Sequence, residues 1–154
     1  MQTRWVDGIT IRPLRSGDTG TLAALFARLG EESRRRRFGG PKPRLAAAEL
    51  AQLARVDATR HVLVAWVDGD PRPAGVARLV RDGASAEVAF AVADELQGRG
   101  VGRALRDELE ALARAAGIRE LRAVVAGPNP PAVALMHGAE PRWDRGELEL
   151  VVGL

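Results

Sequence analysis

The chain has 154 residues, 46% hydrophobic and 28% charged, with a formal net charge of +3 carried almost wholly by arginine, Lys42 being the sole lysine. That length suits one domain, expected over 1–154, and the absence of cysteine, with only His61 and His137 as imidazoles, excludes disulfides and thiolate chemistry, so no metal is expected. No run of about 18 apolar residues occurs, and Met1 to Trp5 lacks the basic-then-apolar pattern of a secretory signal, so the expectation is a cytoplasmic protein with no membrane partner.

Residues 8–14 read as an opening strand, after which Ser16 or Asp18 caps a helix running to about Leu29, with Leu22, Leu25, Phe26 and Leu29 on one face. A short helix is expected over 31–38, a loop over 39–43 and a third helix over 45–56. Strands at 61–67, 74–81 and 85–92 then form a meander whose turns are marked by Asp68-Gly69-Asp70-Pro71 and Asp82-Gly83, and antiparallel pairing is the simplest arrangement. The next helix, 101–116, carries Val101, Leu105, Leu109, Leu112 and Ala116 on one stripe, opposite Arg103, Arg106, Asp107, Glu110 and Arg114, and Gly117 stops it. A strand over 121–126, a short helix over 130–137 and a terminal hairpin over 142–152, turning at Asp144-Arg145-Gly146, complete the chain. The fold class is α/β (α+β). No linker, repeat or low-complexity segment divides it, so no attached regulatory domain is expected.

Between the strand ending at Val92 and the helix beginning near Val101 lies Gln97-Gly98-Arg99-Gly100-Val101-Gly102. Glycines at 98, 100 and 102 strip side chains from a turn whose N–H groups converge at a helix N-terminus, where donors lack intrahelical partners and the dipole is positive. Such a turn binds phosphate. A Walker loop requires Lys and then Ser or Thr after its last glycine, but Arg103 and Ala104 follow Gly102. The dinucleotide fingerprint requires two residues between its second and third glycines and an acid roughly 20 residues on, and neither is clearly present.

Gln-x-x-Gly-x-Gly after a strand and opening a helix resembles the acyl-CoA motif of the GCN5-related N-acetyltransferases (GNATs). The resemblance extends from about Ile9 to Trp143 and is closest to the acetyltransferase domain of bacterial protein-lysine acetyltransferases. Glu32-Ser33-Arg34 through Phe38, Pro41-Lys42-Pro43-Arg44-Leu45 and Ala86-Glu87-Val88-Ala89-Phe90 carry that closeness. It implies a mixed, mostly antiparallel central sheet flanked by helices. It further implies an N-acetyltransferase that binds acetyl-CoA with the amides of Gln97, Gly98, Arg99, Gly100, Val101, Gly102 and Arg103. The pantetheine arm would run along Phe90, Ala91 and Val92, between diverging strands at 87–92 and 121–126. Arg99 and Arg103 are candidates for the pyrophosphate or 3′-phosphate, or are solvated helix-surface residues. Asn129, opening Asn-Pro-Pro-Ala-Val-Ala-Leu with Ala132 and Leu135, resembles the second family motif; it is a cofactor contact, a helix cap, or both.

Acetyl transfer to an amine needs the amine neutral, whereas a free lysine has a pKa of about 10.4, so a base must remove a proton. Glu87 interrupts an apolar strand just before the glycine turn, where burial among alanines would raise its pKa, and the resemblance makes it the general base. An ordinary acid on a solvated sheet face is the alternative. N–H groups around Ala91 to Ala93 would polarise the thioester carbonyl. The acceptor is a protein lysine by analogy, or a small amine. The sequence departs from the family pattern at Met136, where a tyrosine often protonates the leaving thiolate, and at Gly138, which arrives about two residues early; the chain has no tyrosine at all. Those departures favour an alternative, an acyl-CoA-binding sensor or interaction module with little turnover. Of Arg34-Arg35-Arg36-Arg37, at most two can face one groove, and a solvated face is expected. Three tryptophans, three phenylalanines and no tyrosine give little aromatic interleaving, so no nucleic-acid partner is expected. The terminal hairpin leaves an oligomer possible through an exposed edge.

Overall fold

The computed structural model describes residues 4–6, 8–38, 45–125, 135–136 and 138–154. Its strands are β1 (Arg4–Val6), β2 (Ile9–Pro13), β3 (Arg60–Val67), β4 (Gly75–Asp82), β5 (Ser85–Val92), β6 (Glu120–Val125), β7 (Glu140–Asp144) and β8 (Glu147–Gly153). The helices are α1 (Thr19–Ala27), α2 (Glu31–Phe38), α3 (Ala47–Leu53) and α4 (Val101–Ala115), with a 3-10 turn at Asp94–Leu96. The strands form one sheet in the order β1-β2-β3-β4-β5-β6-β8-β7. Pairing is antiparallel except between β5 and β6, which are parallel because α4 carries the chain back across the sheet. The mixed, mostly antiparallel sheet flanked by helices is as expected.

Strand β3 is buried on both faces from Val62 to Ala65, as befits a central strand covered by two layers. One layer is α4, whose Val101, Leu105, Leu109 and Ala113 pack with Ile9, Ile11, Leu63, Ala77, Leu79 and Val88. Gly75 permits this approach: a Cβ there would lie 3.0 Å from Leu105 Cδ1 and 3.1 Å from Val101 Cγ1. On the other face Leu22 of α1 and Ala54, just beyond α3, join Leu14, Val62 and Val64, with Leu50 and Leu53 packed alongside.

Element ends follow local chemistry. Asp18 caps α1, accepting from the Thr21 N–H at 3.1 Å and its hydroxyl at 2.7 Å. Helix α4 ends in a Schellman motif: Ile118 N–H reaches Ala113 C=O at 3.0 Å and Gly117 N–H reaches Arg114 C=O at 3.1 Å, with Gly117 at φ +78°. The terminal hairpin turns at Arg145 and Gly146, both at positive φ.

Four details depart from the sequence reading. Strand β1 precedes the expected first strand, paired with β2 across a turn at Gly8. The third helix is shorter, because the Ala54 carbonyl accepts from Gly17 N–H at 3.0 Å and residue 54 turns into the core. The 3-10 turn was not foreseen. The first helix stops at Ala27, where the Arg28 and Leu29 N–H groups bond i−3 carbonyls. The end of the expected 121–126 strand and nearly all of the expected helix at 130–137 lie outside the described residues.

Asp18→Ala is expected to cost about 1 kcal/mol at neutral pH. The Thr21 hydroxyl and then its N–H hold the Asp18 carboxyl below its ordinary value. This contribution is therefore present above the unfolded pKa of about 3.9 and lost as pH falls through the folded value. Urea unfolding of both proteins checks this: the gap between them should be full near neutrality and shrink as pH falls below about 3.9.

Candidate active site

Strands β5 and β6 pair only from Ser85, Ala86 and Glu87 to Glu120, Leu121 and Arg122. Beyond that point each stays with its outer partner: β5 follows β4 to Val92, and β6 follows β8 to Val125. The two strands therefore diverge and leave a cleft of about 630 Å³. Its walls include Val88 to Val92 of β5, Ala123 and Val124 of β6, Gln97, Gly98, Gly100, Gly102 and Arg103 of the glycine turn, and Leu135 and Met136.

Backbone polarity follows from strand alternation. Ala93 N–H bonds Ala74 C=O at 2.8 Å, so the odd-numbered residues of β5 turn their N–H groups toward β4 and the even-numbered ones, Phe90 and Val92, aim theirs into the cleft. The Val92 carbonyl agrees, accepting from Gln97 Nε2 at 3.3 Å on that side. This corrects the expectation for residues 91–93: the N–H of Ala93 is already bonded and that of Ala91 faces β4. Val92 is the donor left for a carbonyl in the cleft.

At the cleft's end the chain makes the glycine turn. Gly98 and Gly100 sit at φ +78° and +88°, backbone that L-residues rarely adopt. Gly100 is the N-cap of α4 without a side-chain cap, and the first intrahelical bond runs from Ala104 N–H to Gly100 C=O at 3.0 Å. The N–H groups of Val101, Gly102 and Arg103 thus precede the helical ladder and form the positive end of the helix dipole. A Cβ at Gly102 would lie 3.1 Å from Leu135 Cδ2, so a larger residue there would press Leu135 aside.

Two side-chain networks hold this turn. The Arg28 side chain is 6% exposed and donates from Nε to Glu95 Oε1 at 3.0 Å and from Nη1 to Pro73 C=O at 3.0 Å; its Nη2 meets Asp70 Oδ2 at 3.0 Å. Burial opposes the Arg28 charge, but its hydrogen bonds to Glu95 and the charge of Asp70 leave its pKa raised overall. Ser33 Oγ of α2 donates to Asp94 Oδ1 at 2.5 Å and accepts from Gln97 Nε2 at 3.1 Å. Helix α2 is thereby tied to the glycine turn.

Glu87 lies where the β5–β6 pairing ends, opposite Val80 on one side and Arg122 on the other. Its side chain is exposed, not buried among alanines as expected from the sequence, because alternation points residues 85 and 87 away from the α4 core. Its surroundings are cationic. Arg122 pairs with the buried Glu149 at 3.5 Å. Burial, reinforced by the charge of Arg78 and opposed by Glu87, pushes the Arg37 guanidinium down to about 10. Burial and then Arg60 lower Arg78, again against the pull of Glu87.

Of the sequence-predicted residues, Phe90, Ala91, Val92, Gln97, Gly98, Gly100, Gly102 and Arg103 line the cleft. Arg99 is exposed outside that wall, and the Val101 side chain is buried in the core, leaving only its backbone for the turn. Asn129 lies outside the described residues. Sequence reasoning missed Ser33, Arg37 and Arg106. The arginine run is not simply solvated: Arg34 stacks over Phe26 at 4.3 Å and Arg37 lines the cleft. Arg106 lines it too, donating to Leu135 C=O at 3.2 Å; its i+3 spacing from Arg103 was the available signal. Met136, at the family's tyrosine position, is 4% exposed and lines the cleft with a thioether that holds no proton. Among the described residues no cluster of metal-ligating side chains occurs, and no helix is long and apolar enough to cross a membrane.

Residues 27–138 match the acetyltransferase (GNAT) family. The chain is 30% identical over 156 residues to Acetyltransferase Pat of Mycolicibacterium smegmatis, covering 99% of this chain and 46% of that protein. It is 30% identical over 126 residues to Acetyltransferase PA5475 of Pseudomonas aeruginosa, covering 79% of this chain and 68% of that one. The crystal structure of the GNAT domain of S. lividans PAT superposes with a TM-score of 0.85 at 30% identity, over 95% of this chain and 90% of that domain. The chain thus spans about half the length of Pat.

Arg28→Met is expected to lower stability by roughly 1–3 kcal/mol, because it leaves the buried Pro73 carbonyl without its donor, whereas Asp70 keeps Arg72. Urea unfolding measures this, and the control Arg55→Met, at an exposed ion pair, should change stability by less than about 1 kcal/mol.

Proposed function

The chain belongs to the acetyltransferase (GNAT) family, and from that premise we propose that it moves an acetyl group from acetyl-CoA directly to an amine, with Glu87 as general base. The observation that carries this reading is the coincidence of three features at one cleft: diverging strands with inward N–H groups, an uncapped glycine turn, and a carboxylate at the point of divergence. The donor set fits the ligand. Strand-edge N–H groups suit the amides of a pantetheine arm, and the helix N-terminus suits a pyrophosphate, with Arg103 and Arg106 supplying positive charge.

In this reading acetyl-CoA is the acyl-donor substrate and supplies the activated thioester. Glu87 takes the proton from the acceptor ammonium, directly or through water. The freed amine attacks the thioester carbonyl, whose developing negative charge is met by the Val92 N–H. Collapse expels the thiolate; the nitrogen gives up its second proton to water, and the thiolate takes a proton from water, since Met136 has none to give. No covalent enzyme intermediate forms. Likeness to the Pat proteins favours a protein lysine as acceptor. A small amine is the second reading, favoured by the arginines beside Glu87.

Glu87→Gln is expected to lower kcat/KM by roughly 100-fold to 10,000-fold while leaving the calorimetric Kd for acetyl-CoA within about twofold, since general-base loss spares donor binding. Equal, substantial turnover by the two proteins would remove Glu87 from the mechanism, and acetyl-CoA binding with no turnover by either would favour a binding module. Gly100→Glu places a carboxylate at the anion turn and strains φ, so acetyl-CoA affinity should fall by at least about 100-fold by the same titration.

A further inference from the structure

On the face of the sheet that carries Glu87, a second, small cavity of about 40 Å³ adjoins the cleft. The two share Arg37 and Ala91 in their walls. Most of the small cavity is apolar, lined by Leu22, Phe26, Leu53 and Val62 among others, yet Arg37 and Arg78 both reach it. Arg78 is half-buried. Its Nε is fully buried without a hydrogen-bond partner, and among the described residues it makes no ion pair. A cationic donor left unpaired beside an apolar hollow carries a desolvation cost that an anion would relieve.

The register fixes the spacing. Arg78 stands opposite Ala89 and Glu87 opposite Val80, so Arg78 and Glu87 are diagonal neighbours on one face, with Cα atoms roughly 7–8 Å apart. A short molecule can span them with its amine at Glu87 and an anionic group at Arg78. The cavity volume admits a group of a few heavy atoms and no more, and the planar fork of arginine matches a carboxylate.

We propose that the acceptor is a small amine bearing a carboxylate, seated against Arg78 and Arg37 with its amine presented to Glu87. This rests on the amine-acetylation reading above, takes its small-amine branch in place of the protein-lysine one, and names the substrate class. The carboxylate sets the acceptor's position and takes no part in the bond changes. The N–C(acyl) bond forms, the C–S bond breaks, the amine proton goes to Glu87 and the thiolate leaves as CoA.

The test is steady-state CoA release at fixed acetyl-CoA. The acceptors are the protein amino acids, amino carboxylates with one to five carbons between amine and carboxylate, the matching carboxamides, and a lysine peptide lacking other amines. Carboxylates should exceed their carboxamides in kcat/KM by roughly 10-fold to 100-fold. Arg78→Met should erase that preference, mainly through KM, and Arg78→Lys should restore part of it, with acetyl-CoA affinity and melting temperature unchanged in the lysine variant. Carboxamides used as well as carboxylates, or a lysine peptide preferred and indifferent to Arg78→Met, would overturn the proposal while leaving amine acetylation intact. Acetyl-CoA binding with no amine acetylated at all would overturn both.

Discussion

The early parting of β5 from β6 is the constraint on which the remaining structure depends. Each strand has a continuous partner on its other side, β4 for one and β8 for the other. The parallel seam closes only over Ser85 to Glu87. Past it, the N–H and C=O groups of alternate β5 residues have no strand to meet, and buried backbone polar groups left so demand a partner. A ligand with its own amides is the natural third strand. The cleft is therefore a vacancy in hydrogen bonding as well as in volume.

Placing a helix N-terminus at the end of that vacancy requires an abrupt turn, and its chemistry explains the glycines. Gly98 and Gly100 supply left-handed backbone, and Gly102 leaves room for Leu135. Rigidity comes from outside the turn. Arg28 joins the end of α1 to the β3–β4 loop and the 3-10 turn, and Ser33 joins α2 to Asp94 and Gln97. Gln97, read from sequence as part of the anion turn, spends its amide on Ser33 and the Val92 carbonyl, so it positions the turn through its side chain. The same α2 sends Arg37 to the cleft and the adjoining cavity, which places donor-side and acceptor-side chemistry on one short helix.

Much of this was legible in the sequence, for reasons that differ by element. The α4 stripe and its Gly117 stop are local signals, and the structure reproduces them except at Ala116, which is exposed at the C-cap while Ala113 takes its place in the core. The meander was marked by Asp-Gly turns at its strand ends. The glycine turn was readable because positive φ and an uncapped helix start leave direct traces in residue type. What escaped were consequences of tertiary placement. Alternation correctly separated Glu87 from the apolar face, but its exposure depends on how far the helical layer extends over β5. Arg37 and Arg34 sit in a run that reads as solvated, and only the docking of α2 beside β5 and α1 turns them inward. Which of Ala91, Val92 and Ala93 keeps a free N–H depends on the β4–β5 register, fixed by pairing across the hairpin and invisible to composition.

The most direct test of the central claim, that the strand gap and the glycine turn are one acyl-CoA site, is amide hydrogen exchange with and without saturating acetyl-CoA. The account predicts simultaneous added protection at Phe90 and Val92 and at the amides from Gly98 to Arg103, with Ala93, already bonded to Ala74, unchanged. Protection confined to one of the two segments, or found elsewhere on the molecule, would contradict it.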